Sequence, residues 1–321
     1  MEDVTVLVTG ASGFLGSYVM AALAAAGVAA HGYDAAVPGA TALAVAPGLD
    51  ARCSHGLVTD AARLFDVCGA QEVSAIVHTA GLVGLDRSLE QPMATYETNL
   101  MGFVTVAEAA RQRGMRRVVL VSSNAAYHGP TGERLVEEDP VFSPRQGNPA
   151  GHYGTSKMMQ EAVALAYARF HGLDVTVLRV TAIYGFGMRS PMYIKPMVED
   201  AVAGRPTRMA TGGAMKRDYT YVLDCADAVV RSVMAAPDPT RARVLNISAG
   251  HTVTAAEVAI VVQRVIPEAD IQIGNGLTPL EAENVIMRAP LDCSAAKIAL
   301  GWTPFWSLEA GIRDYAARLR A

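Results

Sequence analysis

The 321-residue sequence contains only four cysteines, Cys53, Cys68, Cys225 and Cys293, and no two of them form a CxxC pair. That spacing argues against a disulfide framework or a zinc knuckle and points to reduced thiols in a packed interior, so no metal site is expected. No Lys/Arg-rich run occurs, and the formal net charge is −4 with both signs interspersed. Nucleic acid is therefore a poor partner. The opening MEDVTVLVTG has neither the basic start nor the long apolar run of a secretory signal. The Ala-rich stretch near residues 19–30 is interrupted by glycine and too short to cross a bilayer. A cytoplasmic protein with no membrane partner is the expectation. Internal repeats, low-complexity tracts and flexible linkers are also missing.

What is present is ordinary globular composition, 51% apolar and 18% charged, in a chain long enough for one large domain or two interlocked ones. Short apolar runs alternate with helical patterns through the first half. Val4–Val8, Ala29–Tyr33, Ala75–Thr79, Arg117–Ser122 and Val175–Arg179 read as strands, and Leu15–Ala26, Pro92–Arg113 and Tyr153–His171 as helices. Strands alternating with helices imply an α/β fold, a parallel sheet with helices on both faces. After residue 180 the rhythm changes. Residues 184–217 are rich in Gly, Pro, Met and Arg, followed by a strand at Tyr219–Val222, a helix from Cys225 to about Ala235, a strand at Val244–Ile247 and a helix at Thr254–Val265. Pro279–Glu283, Ser294–Leu300 and Ser307–Leu319 read as short helices, and the second half as a smaller lobe packed on the first.

Residues 9–16, TGASGFLG, place Gly10, Gly13 and Gly16 after the first strand and at the start of a helix. A tight turn, close approach to a pyrophosphate and close helix–sheet packing each need a residue without Cβ. The helix N-terminus then offers free N–H groups to phosphates. Asp34 ends the second strand, 18 residues after Gly16. A carboxylate there accepts ribose hydroxyls and repels a 2′-phosphate, and Ala35 and Ala36 supply no cation, so NAD is favoured over NADP. Residues 153–157, YGTSK, set Tyr153 and Lys157 four apart on one helix face. A nearby ammonium and the positive nicotinamide of NAD⁺ would make the phenol a usable base. Alone, such a pair reads more readily as a solvated helix face. Ser122 and Ser123 end a buried strand, where ligands bind in open parallel sheets.

These segments occur in order with IVHTAG (76–81), TNLMG (98–102), LVSSNAAYHG (120–129), LRVTAIYG (178–185), RDYTYVLDCADAV (217–229) and ALGWTP (299–304). Together they resemble an extended short-chain dehydrogenase/reductase of the NAD-dependent epimerase/dehydratase family, over nearly the whole chain. The resemblance implies a Rossmann-type doubly wound parallel sheet in residues 1–180, also receiving about 218–247. It implies a smaller C-terminal substrate-binding lobe in 181–217 and 248–321. It implies a catalytic set of Ser123, Tyr153 and Lys157, with Asn99 bracing the active-site helix and strand. NAD would lie against Gly10, Ser12, Gly13, Phe14, Leu15, Gly16, Asp34, Val58, Ala80, Gly81, Asn99, Tyr153 and Lys157. A small-molecule substrate would meet Ser123, Asn124, Tyr153, Arg217 and Arg288. A homodimer through helices near 95–113 and 153–171 is the family expectation.

The departures from that pattern bear on chemistry. Asn124 and Ala125 replace the acidic pair that dehydratases carry after the catalytic residue, so dehydration is discounted. Ala182 stands where nucleotide-sugar members usually have Asn, and Leu57 where an Asp often reads the adenine amine. Arg217 and Arg288 keep positions suited to a diphosphate, a single phosphate or a carboxylate. The methionines between 184 and 215 suit either an apolar substrate lid or plain core. His128 and His152 flank the catalytic stretches. Three readings stand: an NAD-dependent dehydrogenase/reductase of a sugar-like or other hydroxylated substrate; a nucleotide-sugar epimerase that recycles its NAD; and, least favoured, a non-catalytic NAD sensor.

Overall fold

A computed structural model describes residues 4–237, 242–279, 281–282 and 289–321. Its centre is a seven-stranded sheet in which every neighbouring pair is parallel. The strands are β1 (Thr5–Thr9), β2 (Ala29–Asp34), β3 (Cys53–His55), β4 (Ala75–His78), β5 (Arg117–Ser123), β6 (Val175–Val180) and β7 (Ala242–Ile247). They lie in the order β7-β6-β5-β4-β1-β2-β3. Strand order reverses between β1 and β4, and the crevice beyond their carboxyl ends is where such sheets bind ligands.

The apolar runs divide between two cores because successive side chains on a strand face opposite ways. Val6, Val8, Val119, Val121, Leu178 and Val180 join one cluster with helices α1 (Phe14–Ala25) and α6 (Val222–Met234). Leu7, Val118, Leu120, Val175 and Val177 join another with α2 (Ala61–Ala70), α3 (Gly102–Gln112) and α4 (Gly151–His171). Burial on both faces explains why the strands read as continuous apolar runs rather than alternating ones.

Beyond β6 the chain builds small two-stranded units. Ala182–Tyr184 runs parallel to Tyr219–Tyr221, Thr207–Met209 parallel to Ile271–Ile273, and Lys216–Arg217 antiparallel to Val253–Thr254. Around them lie α5 (Ile194–Val202), α7 (Ala255–Val265) and α8 (Leu308–Arg320). Thr254 and Glu257 close a capping box on α7, and the Ser307 side chain caps α8.

The structure departs from the sequence reading in several places, among them the helix at Ile194–Val202 and the short strands beyond β6. The helix expected over 92–113 is split, with a π turn at Tyr96–Met101 between Pro92–Thr95 and α3. The sequence reading also passed over β3 and α2, whose start is capped by Asp60 accepting from Arg63 N. β3 has three residues, too few for an alternation to register. Arg288, and Leu280 and Glu283 of the helix expected over 279–283, lie outside the described residues.

Candidate active site at the carboxyl end of the sheet

The turn after β1 fits a dinucleotide because side chains are absent where the backbone crowds. A Cβ on Gly16 would lie 2.7 Å from Gly10 C and 2.9 Å from Ala11 Cα. Gly10 has φ +74°, and a Cβ there would lie 2.7 Å from Ala80 N, so the β1 and β4 loops touch directly. Helix α1 begins at Gly13 with no side-chain cap, so its first N–H groups face the crevice without an acceptor from a side chain. Phe14 and Leu15 occupy that first turn.

Asp34 sits across the turn. Its carboxylate accepts from Ser12 N at 2.8 Å and from Ala36 N at 2.9 Å, and Ser12 Oγ donates to Ala36 O at 2.9 Å. A carboxylate has about four acceptor positions, so two remain for ribose hydroxyls. Beside the glycine turn opens a cleft of about 350 Å³, lined in part by Ser12, Gly13, Phe14, Thr41, Arg189 and Glu199. Val58 is buried against Gly102, while Leu57 beside it is exposed and its carbonyl accepts from Tyr33 OH at 2.9 Å.

The catalytic candidates come from β5 and α4. Tyr153, Lys157 and Glu161 follow one another at turn spacing along α4, and each addresses the last three residues of β5. The Ser123 hydroxyl faces the Tyr153 phenol and favours its ionised form. Lys157 Nζ donates to Val121 O at 3.0 Å. Glu161 accepts from Ser122 Oγ. Ser123 Oγ also accepts from Ala125 N at 3.1 Å, which fixes the turn carrying Asn124. Gly154 allows this approach: a Cβ there would overlap the Ala125 carbonyl oxygen and lie 2.7 Å from Asn148 Cγ.

Burial governs the protonation of this group. It pushes the Tyr153 phenol up from its ordinary value, against the opposing effect of Ser123. It brings Lys157 down to about 8, against the opposing field of Glu161. His78, under the β4 loop, is brought down to about 3 by burial and then by the Lys157 charge, so it is neutral at ordinary pH.

Asn99 braces the arrangement from the π turn. Its Oδ1 accepts from Leu82 N at 2.7 Å, and its Nδ2 donates to Leu82 O at 3.1 Å and Ser156 Oγ at 2.9 Å. A Cβ on Gly81 would lie 3.0 Å from Asn99 Oδ1 and 4.0 Å from Lys157 Nζ, so Gly81 runs between them. The Asn99 carbonyl accepts from Gln160 Nε2 at 2.7 Å. Such π turns often accompany functional sites.

On the far side of the crevice, Arg217 lies near Tyr193, Tyr219 and Glu281. Burial lowers its pKa and those three groups oppose the shift. Tyr193 OH donates to Glu281. Met188, Met197 and Met215 are buried in the lobe core. His152 Nδ1 lies 3.0 Å from Tyr96 OH, and His128 Nδ1 lies 3.1 Å from Gly147 O, which gives both rings structural partners. Among the described residues, no group of three or more His, Cys, Asp or Glu side chains could hold a metal ion.

Sequence reasoning passed over Gly154, Gln160, Glu161, Arg179 and Arg189. Glu161 carried a usable signal, since it lies four residues beyond Lys157 on the same helix face. Arg179 carried another, as a lone charge inside the apolar run VTVLRV.

Comparison with known proteins adds the context. The NAD dependent epimerase/dehydratase family matches residues 6–248. The UDP-glucose 4-epimerase of Mycolicibacterium smegmatis is 29% identical over 319 residues, 95% of each chain. The UDP-glucose 4-epimerase of Thermus thermophilus, solved in complex with NAD, is 25% identical with a TM-score of 0.82, covering 98% of this chain and 99% of that one. MoeE5, solved with UDP-glucuronic acid and NAD, is 27% identical with a TM-score of 0.81 over the same shares.

Proposed function

Because the chain belongs to the NAD-dependent epimerase/dehydratase family, we propose that it oxidises a secondary hydroxyl of a nucleotide sugar, with Tyr153 as acid/base, and returns the hydride to the opposite face. NAD is the family's cofactor, and when bound it accepts and returns that hydride. The observation that carries the reading is the register of α4 on β5, which sets Tyr153 against Ser123 and Lys157 against the strand end.

The residues divide the work. Gly10, Gly13 and Gly16 let the backbone reach a diphosphate, and the first turn of α1 at Phe14 and Leu15 meets it. Ser12 and Asp34 hold the adenosine ribose, with Val58, Ala80 and Gly81 forming nearby walls. Lys157 holds the nicotinamide ribose, and Asn99 fixes the loop and helix beside it. Ser123 and Asn124 orient the reacting hydroxyl and Tyr153 takes its proton. Burial opposes the phenolate and Ser123 favours it, so Tyr153 needs further positive charge to act as a base; the Lys157 ammonium offers it one helical turn away, and the oxidised nicotinamide would add to it. Arg217 meets the substrate's phosphates.

A plain dehydrogenase that releases NADH is the second reading. Ala182 favours it by removing an amide where nucleotide-sugar enzymes hold the diphosphate, and Leu57 by offering no carboxylate to the adenine. Purified protein incubated with NAD⁺ and UDP-sugars, free sugars and hydroxy acids separates the two. A new sugar isomer without net NADH is the expected result, whereas accumulating NADH supports the dehydrogenase. Tyr153→Phe is expected to abolish turnover while NAD still binds, and an active variant would remove the acid/base role.

We further propose a homodimer through α4 and the segment before α3, supported by Met93, Met101, Leu165 and Phe170, which stay exposed there. Sedimentation equilibrium tests it, with a monomer as the refuting result. Four unpaired thiols suit a reducing cytoplasm.

A further inference from the structure

Beneath the reacting groups lies a buried ion pair that the chemistry above does not use. Glu161 and Arg179 are both almost fully buried. Arg179 Nε donates to both Glu161 carboxylate oxygens, at 3.2 and 3.1 Å, and Arg179 Nη2 donates to Glu161 Oε2 at 2.8 Å. Arg179 is the register partner of Ser122 across β5 and β6, and Ser122 Oγ donates to the same carboxylate. One helix residue thus clasps two neighbouring strands where β5 becomes the active site. The clasp reaches further. Arg179 Nη1 donates to Glu137 O at 2.9 Å, and its guanidinium lies 4.4 Å from the Tyr127 ring centre. Tyr127 OH donates to Asn246 Oδ1 at 2.8 Å, and Asn246 Nδ2 donates to Asp292 O at 3.1 Å.

Burying two charges is costly, and an ion pair of this kind is poor evidence of stability by itself. Its location suggests another use. Lys157 and Glu161 grip successive residues of β5, Val121 and Ser122, and Ser123 is the next residue along. A carboxylate one helical turn from a buried ammonium favours its charged form.

We propose that Glu161, clamped by Arg179 and Ser122, is a positioning residue that locks the catalytic helix in register on β5 and keeps the Lys157 ammonium charged beside Tyr153. The inference rests on reading Tyr153 and Lys157 as the catalytic pair. The groups around Lys157 are the Val121 carbonyl that accepts from it, Glu161 one turn along its own helix and held by Arg179 of β6, neutral His78 from β4, and Gly81 with the Asn99 amide beside it. Glu161 is the one carboxylate among them. Lys157 titrates at about 8, a range in which a modest change of field moves a large fraction of its charge.

The sequence makes the test direct, because it has only four lysines, Lys157, Lys195, Lys216 and Lys297. Protein labelled with ¹³C,¹⁵N-lysine is titrated by NMR with and without NAD, and Lys157→Met assigns the signal. Glu161→Gln is expected to lower the Lys157 titration by about one pH unit, a tenfold change in proton affinity. Glu161→Asp is expected to recover part of it. The alkaline limb of the kcat profile should move in the same direction. Should Glu161→Gln fail to fold, the Glu161→Gln/Arg179→Met double variant leaves no buried guanidinium without its carboxylate, and its Lys157 titration should still fall, by less. A folded variant with lower thermal stability but an unmoved Lys157 titration overturns the proposal and leaves a purely structural pair. An active Tyr153→Phe enzyme instead overturns the underlying reading, so the two failures are distinguishable.

Discussion

Replacing Gly154 by alanine sets helix propensity against site geometry. Glycine inside a helix is worse than alanine by about 1 kcal/mol, so propensity alone expects the variant to be more stable. The site argues otherwise. The new Cβ would overlap the Ala125 carbonyl oxygen and lie 2.7 Å from Asn148 Cγ. Ordinary carbon contacts begin near 3.5 Å, so the helix start and the 124–126 turn must separate by roughly 1 Å. Asn148 cannot simply swing aside, because its Nδ2 donates to Ala125 O at 3.0 Å and Ala126 O at 3.1 Å and its Oδ1 accepts from Ala150 N at 2.8 Å. Overpacking of this kind costs about 1–3 kcal/mol, which outweighs the propensity gain. The larger effect falls on catalysis. The turn that must move follows Ser123, and the helix that must move carries Tyr153. A displacement of about 1 Å at reacting groups costs on the order of 10²-fold in rate. The assay is kcat on the substrate found by the turnover panel, with thermal unfolding and NAD affinity measured in parallel. A folded Gly154→Ala protein within threefold of the parent kcat would refute the close-approach argument.

Two other perturbations follow from the same geometry. Gly16→Ala puts a Cβ 2.7 Å from Gly10 C and 2.9 Å from Ala11 Cα; calorimetry should find NAD binding weakened at least tenfold in a folded protein, and unchanged affinity would remove the cradle from the cofactor site. His78 is neutral when folded, with its pKa brought down to about 3 by burial and by Lys157. The unfolded chain therefore binds an extra proton between roughly pH 6.5 and 3, so stability is full above 6.5 and is lost as pH falls through that window, at up to about 1.4 kcal/mol per pH unit. Urea unfolding from pH 7 to 4 should show a shallower slope in His78→Asn, and identical slopes would show that His78 does not carry the acid sensitivity.

The sheet was legible wherever burial on both faces made an unbroken apolar run, as in Val118–Val121 of β5 and Val6–Val8 of β1. The glycine turn was legible because its spacing, the preceding strand and the following helix all express one requirement, backbone without Cβ. The π turn at Tyr96–Met101 was not. Its residues suit an ordinary helix, and the Asn99 carbonyl within it accepts from Gln160 of another helix, a tertiary partner that spacing along the chain does not reveal. Glu161 and Arg179 stayed hidden for a related reason. Eighteen residues separate them in the chain, and only the β5–β6 register brings Arg179 beside Ser122 and within reach of α4. Sequence spacing reports partners on one element far better than partners that meet across a sheet.

The departures from the family pattern also fall unevenly across the site. The cofactor turn, the π-turn brace and the Tyr153 ladder form one connected set of backbone contacts and buried hydrogen bonds, in which each residue is tied to the next. Ala182 lies outside that set. It is partly buried and pairs, in a short two-stranded unit, with Tyr219, which lies two residues beyond Arg217 in the chain. An Asn there would have offered directed hydrogen bonds, and alanine offers none. Arg217 lies near that strand end with Glu281 and the Tyr193 and Tyr219 phenols around it, and of these the Glu281 carboxylate opposes its charge. On the proposed reading, a ligand that meets Arg217 competes with Glu281 by charge, which favours a phosphate over a neutral hydroxyl and would leave the sugar to be sorted at Ser123 and Asn124. On that reading the chemistry is held by a connected frame of hydrogen bonds, while choice of substrate would rest on a few exchangeable side chains around it.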